Sequence, residues 1–86
     1  MEPFEILIDI NGNDHPLLAV PFPEEIKYNI FNGLDHLCAV WPSVENEQIT
    51  WMTDKDVQKE LLIMIGDGIE KAINDKLADN QQSNML

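Results

Sequence analysis

The residues with the clearest chemical potential begin at Asp9. Asp9-x-Asn11-x-Asn13-Asp14 has the oxygen spacing that opens a calcium loop. The match stops there: Asp14 stands where the turn glycine belongs, and the twelfth position is Val20 instead of a bidentate glutamate. Asn-Gly at a chain reversal explains the same residues better, because both tolerate the positive φ of a tight hairpin. His36-x-Cys38 puts two metal-ligating types at strand spacing, on the same face of a strand. Zinc requires three or four ligands, and the other histidine, His15, belongs to a different turn region. Nucleophilic catalysis needs a base and an orienting group beside Cys38, Ser43 or Ser83, and no such grouping is evident. Glu24-Glu25, Glu45 with Glu47, and Asp54 with Asp56 offer paired carboxylates, but in so acidic a chain pairs arise by chance and form solvated surface. Gly66-x-Gly68 lacks the strand-to-helix context and glycine spacing of a phosphate loop. The sequence therefore predicts no catalytic residue, no metal, no cofactor, and a protein that is not an enzyme.

The elements that would position these residues follow from periodicity. Phe4, Ile6, Ile8 and Ile10 alternate with Glu5, Leu7 and Asp9, the period of a strand with one buried face. Leu17 to Phe22 predicts a second strand ending near Val20, before Pro21 and Pro23. Ile26, Tyr28 and Ile30 predict a third, Asn32-Gly33 a second tight turn, Leu37 to Trp41 a fourth strand, and Ile49 to Met52 a fifth. Thr53 and Asp56 suit a helix start. From there Val57, Leu61, Met64, Ile65, Gly68, Ile69, Ala72 and Ile73 share one helical face. A helix from Asp54 to Leu77 would be about 36 Å long, with an allowance for a bend at Gly66 to Gly68. The expected architecture is an α+β domain over residues 1–78: an antiparallel β-meander of four to five short strands, with one long C-terminal amphipathic helix packed on one face. Residues 79–86 read as a flexible polar tail.

Composition narrows the function classes. Sixteen acidic residues against five lysines and no arginine give a formal net charge of −11. A nucleic-acid surface needs clustered cations to displace counterions, and an anionic membrane would repel this chain, so direct nucleic-acid and membrane partners are excluded. One cysteine forbids an internal disulfide, and its apolar surroundings predict a buried, inert thiol. The N-terminus lacks a basic, then apolar, export pattern, and a cytoplasmic location is the expectation.

Phe4-Glu5-Ile6, the two Asn-Gly hairpins, Trp51, and the helix pattern Val57-x-x-x-Leu61-Leu62-x-x-Ile65-x-x-x-Ile69-Glu70 together resemble short bacterial proteins, of a kind common in Bacteroidetes. The resemblance spans Phe4 to about Ile73 and implies a strand meander with a terminal helix; it implies no activity.

Several apolar residues lack an evident place inside. Leu7 lies among acids on the outer face of the first strand, Tyr28 is expected on the outer sheet face with it, Trp41 and Trp51 flank the Pro42 to Gln48 segment, and Ile63 falls on the polar face of the helix. These five form the candidate interaction surface for a protein partner, foreign or a second copy. The expected function is a non-enzymatic interaction or regulatory module, self-associating as a homodimer through its sheet. The alternative is an acidic inhibitor, an immunity protein or DNA mimic, which would gather its carboxylates into one patch against a basic nuclease or defence protein.

Overall fold

The computed structural model describes residues 2–84, with side-chain surroundings defined through residue 75. Five strands, β1 (Phe4–Ile10), β2 (Asn13–Pro21), β3 (Tyr28–Asn32), β4 (Asp35–Glu45) and β5 (Gln48–Thr53), form one antiparallel sheet in the order β1-β2-β3-β4-β5. A single helix, α1 (Lys59–Asn84), follows. Its backbone approaches chiefly β1 and β5, the two outermost strands, which requires the sheet to curl around it. The meander and the terminal helix are those expected from the sequence.

The three tight turns use two backbone solutions. Asn11 (φ 53°) and Gly12 (φ 83°) both adopt left-handed conformations between β1 and β2, as a two-residue hairpin with mirror-image turn geometry requires. Between β3 and β4 the turn residues are Gly33 and Leu34, with Gly33 alone at positive φ (61°). Asn46 and Glu47 close the β4–β5 hairpin at φ 51° and 65°, so a glutamate occupies a position that glycine fills at lower cost.

The strands run longer than their apolar cores because the prolines cause no loss of pairing. Phe22 N–H donates to Lys27 O, so along β2 the N–H groups of alternate residues face β3. By that alternation Pro16 presents its missing donor toward β3, which begins to pair only at Leu18. Pro21 presents its own toward β1, whose pairing ends at Phe4 opposite Ala19. Pro42 faces β3 beyond Tyr28, the last residue of β3 opposite β4. In each case the neighbouring strand has already ended, so no ladder bond is missing.

Other boundaries also differ from expectation. β3 starts at Tyr28, and Ile26 lies exposed in the preceding loop. The helix starts at Lys59, not near Asp54, because Asp54 extends the β4–β5 ladder. Its N–H donates to Ala39 O at 3.2 Å, and its Oδ1 accepts from Ala39 N–H at 2.8 Å. Its carboxylate does what the next backbone carbonyl of β5 would have done. Helical backbone continues to Asn84, through most of the segment expected to be a tail; Met85 and Leu86 lie outside the described residues.

The core lies between the concave face of the sheet and the helix. Ile6, Ile8, Leu17, Ala19, Tyr28, Ile30, Cys38 and Val40 meet Ile65 and Ile69, with Leu61, Leu62, Met64, Ile73 and Val57 packed around them. The helical face expected from the sequence is thus the docking face. Both helix glycines allow close approach. A Cβ on Gly68 would lie 3.1 Å from Ile6 Cβ, and one on Gly66 would lie 2.3 Å from Trp51 Cδ1. The helix is continuous through both.

Candidate interaction surface

With one helix on the concave face, no second helix or strand layer among the described residues packs on the other side of the sheet. Strand alternation and register determine what stands there. Leu7 and Leu18 project from β1 and β2, and Leu18 pairs with Phe31 of β3. Val20, Asn29 and Ala39 form the next row, and Trp41 pairs with Met52 across β4 and β5. Leu7 (55% exposed), Leu18 and Met52 are exposed, whereas Phe31 and Trp41 are half-buried.

Lys27 reaches this face from the loop before β3, with its Nζ 4.8 Å from the Trp41 ring centre and 5.3 Å from that of Phe22. Held between two aromatic faces, the ammonium is attracted by both rings and partly covers the tryptophan. His36 stands further along the same face of β4: its Nε2 donates to Asn29 Oδ1 at 2.9 Å, and its ring meets Phe31 edge-on at 5.2 Å. The carboxylates of Glu5, Asp9 and Asp14 lie at the margin on β1 and β2. An apolar centre with aromatic anchors and a polar margin is the general anatomy of a protein-binding surface.

The five residues expected at such a surface separate into two groups. Leu7 and Trp41 are on the uncovered face, and Ile63 (49% exposed) projects from the helix. Tyr28 does not belong with them. It is 6% exposed, in the core, with Phe4 edge-on at 6.0 Å and Trp51 tilted at 6.2 Å. The alternation of Ile26, Tyr28 and Ile30 already placed it with buried Ile30, so its assignment to the outer face is corrected by its own strand parity. Trp51 also points inward, opposite Pro42 and against Gly66. Its Nε1 is buried without a hydrogen-bond partner, which shows how closely the helix backbone sits on the indole. Leu18, Phe31 and Met52 were missed; the signal was present in Leu17 to Val20, where residues of both parities are apolar and one set must face outward.

The histidine–cysteine pair is separated. The pairing register shifts between Ile30 and Phe31, so His36 aligns with Phe31 on the outer face while Cys38 aligns with Ile30 in the core. His15, bonded to Asn32 at 3.3 Å, is paired with Ile8, whose side chain points inward. Among the described residues no group of three ligating side chains could hold a metal ion. Burial pushes the Cys38 thiol above its usual pKa, against a hydrogen bond with Thr53 that lowers it, so the thiolate is disfavoured. Asp54 is shifted the other way, below the usual aspartate value, chiefly by the Ala39 N–H.

Two features adjoin the sheet edges. β1 is an edge strand bearing Glu5 and Asp9, charges that discourage pairing with another strand. β5, the other edge, reads Gln-Ile-Thr-Trp-Met-Thr and carries no charge. Beside it a groove of about 360 Å³ is lined by Ile49 and Trp51 from the strand and by Lys59, Leu62, Ile63 and Asp67 from the helix. No helix among the described residues is long and apolar enough to cross a membrane. No family model, curated protein or solved structure matches this chain.

Proposed function

We propose that this chain is a small non-enzymatic protein-interaction module that self-associates through its sheet. The observation that carries this reading is the sheet itself: one face on which no second element packs among the described residues, with Leu7, Leu18, Phe31, Trp41 and Met52 on all five of its strands, and one edge strand without charge. Exposed apolar side chains of this kind are stabilised when a partner removes them from water, at about 25 cal/mol per Å². The pockets beside the helix are open grooves between secondary-structure elements, lined by apolar side chains with Lys59, Asp67, Lys71 and Asp75 at their borders.

The acidic-inhibitor alternative finds less support. Its carboxylates would have to form one field, yet they occupy both ends of the meander. Glu24, Glu25, Glu45 and Glu47 are at one end; Asp9, Asp14, Asp35, Asp54 and Asp56 are at the other. Solution mass by light scattering, across a protein and salt series, tests the proposal. Self-association should rise with concentration and persist or tighten as salt screens the repulsion between two chains of −11. A monomer under every condition would overturn it.

A further inference from the structure

The edge of β5 has the features that a second copy of this chain would need. Asp54 N–H points to β4, so by alternation the N–H groups of Met52, Thr50 and Gln48 do too, whereas those of Ile49, Trp51 and Thr53 point away from the sheet. Three donors and three acceptors are therefore presented in a row. Around that row the exposed apolar side chains concentrate: Val44, Ile49 and Met52 on the hairpin, and Ile63 on the helix across the groove. In a chain of −11, this is the edge where like-charged copies can approach without juxtaposing carboxylates on the strand.

Lys59, Asp67 and Glu70 border the groove, and the first two are self-complementary. Lys59 and Asp67 stand four residues to either side of Ile63 on the same helix, and all three line the groove. A two-fold axis opposite Ile63 turns each Lys59 toward the partner's Asp67. The strand has the same property. Aligning Trp51 with the partner's Trp51 in antiparallel register matches Ile49 with the partner's Thr53 and Thr50 with the partner's Met52.

We infer that two copies pair antiparallel through β5, forming a continuous ten-stranded sheet about a two-fold axis perpendicular to it. This rests on the reading that the module self-associates through its sheet and specifies the route. Both helices then lie on one side, and the two uncovered faces join on the other as a single bivalent surface for further partners. Residue for residue, the dimer satisfies the outward N–H and C=O groups of Ile49, Trp51 and Thr53.

The test is the dimer dissociation constant of the full chain by sedimentation equilibrium, with three variants. Ile49→Pro removes an outward-facing donor and an exposed apolar side chain without removing a β4–β5 ladder donor, and Ile63→Lys places like charges at the axis; each should weaken the dimer about tenfold or more. Leu18→Lys alters the uncovered face and should leave the constant within about threefold. Amide exchange at Ile49, Trp51 and Thr53 should also slow as protein concentration rises, a readout independent of any variant's stability. A wild-type dimer that Leu18→Lys disrupts, with Ile49→Pro and Ile63→Lys unaffected, overturns edge pairing while leaving self-association standing. A wild-type monomer at every concentration overturns both.

Discussion

Replacing Gly66 with alanine separates helix propensity from helix docking, because the two act in opposite directions at this position. In an exposed helix the change stabilises by about 1 kcal/mol. Here the new Cβ would lie 2.3 Å from Trp51 Cδ1, 2.5 Å from Cγ and 2.6 Å from Nε1, where carbon–carbon contact requires about 3.5–4.0 Å. More than an ångström must be found. The indole is a rigid ring with Tyr28 on its far side, and the helix is fixed by Ile65 and Ile69 in the core and by Gly68 against Ile6. Overpacking of this kind costs about 1–3 kcal/mol, and expulsion of the ring would approach the roughly 3–5 kcal/mol of losing a buried aromatic. After the propensity gain, a net loss of about 2 kcal/mol is expected, a large part of the roughly 4–13 kcal/mol available to a chain of this size. In urea, with a slope of about 1 kcal/mol per molar, the midpoint should fall by about 2 M at unchanged slope. In a Trp51→Leu background the same Gly66→Ala change should become neutral or stabilising, isolating the contact as a coupling energy. A midpoint in the wild-type background that stays or rises would refute the docking of the helix on Trp51.

Glu47→Gly should stabilise the fold by about 0.5–1 kcal/mol, since a glutamate at φ 65° gives way to the residue that the second position of this turn favours. Gly12→Ala, at φ 83°, should destabilise by about 1 kcal/mol, and thermal melts that move both in one direction would contradict the turn assignment. Asp54 titrates below its unfolded value in the folded chain, so its contribution is fully present above the unfolded pKa and is lost as pH falls through the folded one. Asp54→Asn keeps an acceptor for Ala39 but removes the titration; stability measured from pH 6 down to pH 2 should fall less steeply in the variant, and parallel curves would refute the assignment.

Local rules acting over a few residues determined much of this protein from the sequence alone. The period-two pattern of Phe4 to Ile10 specified β1 and its buried face, and Asn-Gly specified the first hairpin. The period of Val57 to Ile73 specified which helical face would dock. The surplus of apolar residues over core positions, visible in Leu7 and Ile63, pointed to a second surface. Tertiary structure decided what depends on a neighbour. Thr53 and Asp54 have the chemistry of a helix cap, but an unpaired Ala39 N–H fifteen residues away claimed the carboxylate and moved the helix start to Lys59. One register shift put His36 and Cys38 on opposite faces, which spacing along a single strand cannot reveal. Gly66 looked like a weak point of the helix until Trp51 was found beneath it. Periodicity records which side of an element is apolar; which partner meets that side depends on contacts between residues distant in sequence, and these fixed both the core and the uncharged edge.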